Sequence, residues 1–248
     1  AAVDPATPLG RTIVNAANAQ ATSLPGPCGT GGNAAAPCAA PQGDPGSATG
    51  ERTGGGGVNN LAAAATAPFT TASVNVTKSL VNPQSYYAIG DRVTYEIRIA
   101  LPVGTAKSLR VRDTLPSGLT FDAGSATVST IGGPVTFTGT PTPPGLAGAV
   151  LTFDFGDVAT PTAAEITIGY SATVANVIAN QNNATRVNSA AALYQDPNDA
   201  ASTITIAAPS NPTVRVGEPN LAVTKSITAG ATGADAGNGV DWSFTVSN

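Results

Sequence analysis

From Val93 to Leu101 the chain alternates with a period of two: Val93, Tyr95, Ile97, Ile99 and Leu101 are apolar, and Thr94, Glu96, Arg98 and Ala100 stand between them. Such a pattern makes a strand with one buried face and one wet face, not a helix, whose apolar positions recur every three or four residues. The strand belongs to a stretch, 74–121, whose opening returns near the C-terminus. Val223-Thr-Lys225-Ser repeats Val76-Thr-Lys78-Ser, and Gly237, Val240, Trp242, Phe244 and Val246 fall on Gly90, Val93, Tyr95, Ile97 and Ile99. Both matches share one offset of 147 residues, without a gap. A fixed period points to tandem modules and away from a single-site enzyme.

Composition narrows the partners. The 248 residues carry 10% charged side chains and a net charge of −4, with no basic footprint for nucleic acid or an anionic membrane. β-branched and turn-forming residues outweigh Leu, Glu and Lys, which favours an all-β chain. There is no His, so the usual general base and the commonest metal ligand are missing, and neither a cofactor nor a metal is expected. No apolar run reaches the length of a bilayer span, so membrane insertion is not expected. The small-residue start Ala1-Ala2-Val3 suits a mature end left by signal cleavage, and so a secreted or surface location. Cys28 and Cys38 have nine residues between them and no other thiol or imidazole to complete a metal site; a disulfide stapling a surface loop is expected.

Taken in order, residues 1–71 form an N-terminal strand and a Gly/Pro/Ala-rich arm. Within it Arg11-Thr-Ile-Val-Asn15 is strand-like, and 58–69 reads either as a short helix or, with Pro68, as an extended piece. Residues 72–216 form a complete repeat with strands expected at 73–80, 92–101, 107–113, 125–130, 134–138, 149–155, 165–174, 185–193, 202–207 and 213–216. Many short antiparallel strands with frequent turns indicate an Ig-like β-sandwich, with a closed barrel as the alternative. Residues 217–248 supply the first strands of a second repeat; either the sequence comes from a longer array or another segment completes that sheet.

Strand parity puts two charged residues on apolar faces. Lys78 shares its parity with Val74 and Val76, and Asp113 with Leu109, Val111 and Leu115. Asn188 shares a face with Ala190, Ala192 and Tyr194, but Val187 and Leu193 occupy the other face, so parity leaves its direction open. A buried charge without a partner is costly, so these groups are expected to meet. Glu96, Asp154 and Glu165 fall outward. Trp242, at the position of Tyr95, reads as core. Asp196, Asn198 and Asp199 read as a solvated turn in preference to a calcium loop.

The pieces VTKSL, GDRVTYEIRI, VRDTLPSGLTF and VNSAAAL, in that order, resemble the tandem β-sandwich repeats of large bacterial cell-surface proteins, a repeat domain of unknown function, and the related isopeptide-forming domains of fimbrial proteins. The resemblance covers about 72–193 and restarts at Asn220. It implies Lys78 as nucleophile, Asn188 as acceptor and Asp113 as assisting acid for an internal Lys–Asn bond. The alternatives are a non-covalent Lys–Asp–Asn network, or Asp113 capping the turn before Pro116. Arg11-Thr-Ile-Val-Asn15 is similar to Thr185-Arg-Val-Asn188, so Asn15 and Lys225 stand as the equivalents in a second repeat.

The expected function is that of a structural module in a secreted or surface-displayed repeat protein, self-associating head to tail by strand complementation into a fibre. The alternative is an adhesin-type binding module for an unidentified surface ligand. A bond that forms once does not make the chain an enzyme in the ordinary sense.

Overall fold

The computed structural model describes residues 2–21, 42–43, 51–54, 57–58, 61–229 and 235–248. Cys28 and Cys38, and with them the expected disulfide, lie outside the described residues. Among those described, every regular element is a strand. The chain divides into two compact units, Thr12–Thr70 and Ala1–Arg11 together with Thr71–Asn248.

In the smaller unit, β1 (Thr12–Ala21) pairs antiparallel with β5 (Leu61–Thr70) from Thr12 opposite Thr70 to Ala21 opposite Leu61. Over Leu61–Thr70 the extended reading is the one observed. Pro68 stands opposite Val14. Thr71 N donates to Arg11 O, which makes 11 and 71 a hydrogen-bonded pair and leaves Val14 and Pro68 in the class that makes no ladder bond. Three short pieces, β2 (Gln42–Gly43), β3 (Glu51–Gly54) and β4 (Gly57–Val58), form a small separate sheet.

The larger unit is a sandwich of two sheets. Its strands are β6 (Asn75–Leu80), β7 (Arg92–Leu101), β8 (Gly104–Thr114), β9 (Leu119–Phe121), β10 (Thr127–Gly132), β11 (Thr136–Phe137), β12 (Gly145–Ala147), β13 (Val150–Thr160), β14 (Ala164–Val174), β15 (Thr185–Val187), β16 (Ser189–Gln195), β17 (Thr203–Ala207) and β18 (Thr213–Arg215). One sheet runs β10-β14-β7-β6, with β9 also on β14, and the other runs β11-β13-β8-β16-β17, with β12 also on β13. The alternation read from the sequence becomes the core: Tyr95, Ile97 and Ile99 from one sheet and Val111, Phe153, Phe155 and Ala192 from the other are fully buried. Burial of each large apolar side chain is worth about 1.5–3 kcal/mol, which fixes strand register because a one-residue slip would turn the whole set outward.

Two differences from the sequence reading have physical causes. The strand expected at 185–193 is broken at Asn188: β15 pairs with β18 in a separate two-stranded sheet, and β16 pairs with β8 and β17 in the large one. Strand β13 runs past its expected end to Thr160 through a bulge at Gly156, whose φ of +63° suits glycine. Residues 1–11 also join this unit. Leu9 is 2% exposed in its core, its N–H donates to Thr105 O at 2.9 Å, and Gly104 leaves it room, since a Cβ there would sit 2.6 Å from Leu9 Cδ2.

The last element is a hairpin of β19 (Ala222–Ala229) and β20 (Asp241–Ser247). Its register is that of β6 and β7 moved by the repeat offset: Lys78 opposite Ile97 becomes Lys225 opposite Phe244, and Asn75 opposite Ala100 becomes Ala222 opposite Ser247. Burial does not follow. Trp242, expected in the core, is 50% exposed, and Val223, Phe244 and Val246 are more so, because no second sheet covers this face among the described residues.

Candidate functional site

The site lies between the two sheets, where three strands and the junction before β16 each bring one polar group to an apolar interior. Lys78 is on β6, an edge strand whose inward side is Val76 and Lys78. Asp113 is near the end of β8, opposite Leu151 of β13 and Ala190 of β16. Tyr170 is in the middle of β14, opposite Tyr95 of β7. Asn188 sits where the chain leaves β15 for β16; its N–H donates to Pro212 O at 3.1 Å, and its side chain is fully buried.

The sequence motif around the acid also has a local explanation. After Asp113 the chain places Leu115 in the core and turns at Pro116-Ser-Gly118. Gly118 has φ +96°, and a Cβ there would come within 2.3 Å of Asn180 Oδ1. Asn180 in turn donates to Gly118 O at 2.8 Å and Ala175 O at 2.7 Å, holding the turn against the end of β14. The strand is therefore stopped one turn after Asp113. The Asp113 side chain points inward and does not cap that turn.

Lys78 Nζ donates to Asp113 Oδ2 and to Tyr170 Oη, the latter at 3.1 Å. Tyr170 O–H donates to Asp113 Oδ2 at 2.7 Å, and Asn188 Nδ2 donates to Tyr170 Oη at 2.7 Å. The ammonium also stands over aromatic faces, 4.9 Å from the Tyr95 ring centre and 5.6 Å from that of Tyr170, and those two rings stack at 5.3 Å. Burial pulls the Lys78 amine down to about 8 against the pull of Asp113, and burial pushes the Asp113 carboxyl up against the pull of Lys78. The two shifts bring a proton on nitrogen and a proton on oxygen closer in energy. Burial, reinforced by Asp113, raises the Tyr170 phenol, which therefore keeps its proton. Two buried oxygens, Asp113 Oδ1 and Asn188 Oδ1, have no hydrogen-bond donor. Each is an acceptor, so a proton on the Asp113 carboxyl would turn one of them into a donor.

Sequence parity singled out Lys78 and Asp113 and left Asn188 open; the structure brings all three to one point. It adds Tyr170, which sequence reasoning passed over as one apolar position among Ile166, Ile168, Ala172 and Val174. The signal was available, since a buried tyrosine hydroxyl requires a partner. Asn15 and Lys225, the second-repeat equivalents, lie in the two different units. Lys225 is exposed, with its Nζ 4.0 Å over the Trp242 ring and 5.1 Å over that of Phe244. The loop at Asp196, Asn198 and Asp199 satisfies its own carboxylates: Asp196 accepts from Asn198 N, and Asp199 from Ala201 N and Ser202 Oγ. No cluster able to hold a metal ion occurs among the described residues, and no helix there is long and apolar enough to cross a membrane.

No protein-family model matches the chain, and a search of curated proteins finds no significant match. Solved structures that align with the chain include pilin subunits and a surface-protein subdomain. The pilus backbone of Streptococcus pneumoniae aligns at 18% identity and a TM-score of 0.36 over 50% of this chain and 32% of its own. The major pilin subunit of Bacillus cereus aligns at 11% identity and 0.42 over 68% of this chain and 52% of its own. A collagen-binding subdomain of an Enterococcus faecalis surface protein aligns at 14% and 0.36 over 56% of this chain and 95% of its own. The chain thus spans about a third of the pilus backbone protein it aligns with.

Proposed function

We propose that the chain is a structural subunit of a secreted or cell-surface fibre, that an isopeptide bond between Lys78 and Asn188 locks its complete module, and that copies join head to tail through the two hairpins. The observation that carries this reading is the two-faced hairpin of β19 and β20. One face holds Val223, Ile227, Trp242, Phe244 and Val246, all between 45% and 64% exposed, with Lys225 among them. The other is Thr224, Ser226, Ser243 and Thr245. A contiguous apolar face of this kind favours a partner over water. Inside the complete module the equivalent face is covered by strands that include β16, the one that follows Asn188. The hairpin of β1 and β5 carries a complementary face, with Ile13 opposite Phe69 and Asn15 opposite Ala67. Laid on β19 and β20 of a neighbouring copy, that face brings Asn15 to Lys225. Such a contact joins different surfaces, and when it does not close into a ring it propagates.

The bond chemistry follows from the buried cluster. A neutral Lys78 amine attacks the Asn188 carboxamide carbon, Asp113 polarises the carboxamide oxygen and takes up protons, and ammonia leaves. Electron microscopy of the purified chain tests the assembly: fibres are expected, and Phe244→Asp, which alters only an exposed position, leaves folded single subunits. A monodisperse wild type, or fibres from the Phe244→Asp variant, overturns it. Intact mass tests the bond, with one ammonia missing from the wild type and none from Asn188→Ala.

A further inference from the structure

We infer that the Tyr170 hydroxyl is the proton relay that turns the Asn188 amide nitrogen into leaving ammonia. This deepens the bond reading above and rests on it. Expelling an amide nitrogen as an anion is prohibitive, so Nδ2 must receive a proton as its bond to carbon breaks. Tyr170 Oη accepts from Nδ2 at 2.7 Å, and the Asn188 side chain also faces the Asp113 carboxyl and the Tyr95 hydroxyl. Asp113 touches the far side of the same hydroxyl, again at 2.7 Å, and the nucleophile Lys78 Nζ lies 3.1 Å from it. One oxygen therefore contacts the nucleophile, the acid and the leaving group. Lys78 Nζ donates directly to the same Asp113 oxygen, which closes a path for protons from amine to acid to phenol to leaving nitrogen.

The steps balance. The Lys78 ammonium gives a proton to the Asp113 carboxylate. Nζ then bonds to the Asn188 carboxamide carbon, whose C=O electron pair moves onto oxygen. As that pair returns, the bond from carbon to Nδ2 breaks, Nδ2 takes the Tyr170 proton, and Asp113 restores the phenol. The attached Nζ yields its surplus proton to Asp113. The products are a neutral amide, one ammonia, an intact phenol and a protonated Asp113. Nothing is oxidised or reduced.

The ring is fixed for this role. It stacks on Tyr95 at 5.3 Å and packs against Phe153 at 6.2 Å, so the hydroxyl cannot swing away from Nδ2 without disturbing the core. The charged and titratable neighbours that face it are Lys78 of β6, Tyr95 of β7 and Asp113 of β8. Burial and the Asp113 charge keep the phenol protonated until it is called on.

The test uses the full chain, recovered unreacted in denaturant, refolded by dilution and sampled for intact mass over time. Wild type should lose one ammonia per chain. Tyr170→Phe, which keeps the ring and removes the hydroxyl, should reach the same circular dichroism spectrum and lose ammonia about a hundredfold more slowly. Loss within about twofold of the wild-type rate overturns the relay while leaving the bond reading intact. Retention of full mass by the wild type itself takes both down. A ring-fluorinated tyrosine at 170 preserves the fold and makes the phenol a better acid. Faster loss supports the relay and an unchanged rate overturns it, even where Tyr170→Phe fails to fold.

Discussion

The hairpin of β6 and β7 and the hairpin of β19 and β20 share one register and one pattern of apolar positions, yet Tyr95 is fully buried and Trp242 is half exposed. The pairing is thus a local property of these residues, while burial comes from the sheet that lies across from them. The two lysines show the same division. Lys225 has aromatic faces beneath it and no ion pair with an acid among the described residues, whereas Lys78 has such faces and Asp113, Tyr170 and Asn188 as well. A lysine at this place in the strand is ordinary until β14 of its own sheet supplies a phenol and the second sheet supplies an acid and an amide.

The sharpest way to break the comparison is to remove the acid. Asp113→Ala leaves Lys78 buried without a counter-charge, and urea unfolding should show a loss of about 3–5 kcal/mol together with retention of the full sequence mass. A stability near wild type would mean that Lys78 does not depend on the second sheet. Next comes a matched pair of truncations. Ile97→Ala should cost about 2–5 kcal/mol through cavity formation, and its equivalent Phe244→Ala no more than about 0.5 kcal/mol when measured on dissociated single subunits. Equal costs at the two positions would contradict the difference in burial. The smallest effect is in pH. In Asn188→Ala, where no bond can form, the unfolded chain holds the lysine proton up to about 10.5 and the native chain releases that of Lys78 near 8. Between those values the unfolded state binds more protons, so stability should rise with pH, by at most about 3 kcal/mol, and the Lys78 contribution should be flat below the window. A curve that falls across that interval would show that Lys78 is not held in an apolar site.

How much of this was legible in the sequence depended on the range over which each signal acts. Alternation at 93–101 and 165–174 gave strands and faces directly, because side chains on a strand must point to opposite sides. Lys78 and Asp113 could be assigned inward for the same reason, each lying within one unbroken strand. Asn188 could not, since parity holds only as long as the strand does, and the chain changes partners at that residue. The short strands β9 and β12 were missed because three residues carry no periodicity. Tyr170 was hidden by its resemblance to its apolar neighbours. Its hydroxyl is distinguished only by what stands opposite it, and that is a property of the folded sandwich. The exposure of Trp242 likewise has no local signature, since the residue occupies a good core position in a hairpin to which the described residues supply no core.

The sandwich takes Leu9 into its core, hands the chain over at Arg11 and recovers it at Thr71, where Arg11 N donates to Thr71 Oγ1 at 2.9 Å and Thr71 N to Arg11 O at 3.0 Å. Everything between those two residues enters and leaves through a single doorway. The stretch is consequently a cassette: it can lengthen, shorten or change composition over generations without any renegotiation of the interior packing of the module that carries it. Natural variation in length should therefore gather within 22–60, between the two strands that the proposed assembly uses, and a designer wishing to display a foreign loop or a second domain has a ready-made insertion point there, since Ala21 and Leu61 already stand opposite one another.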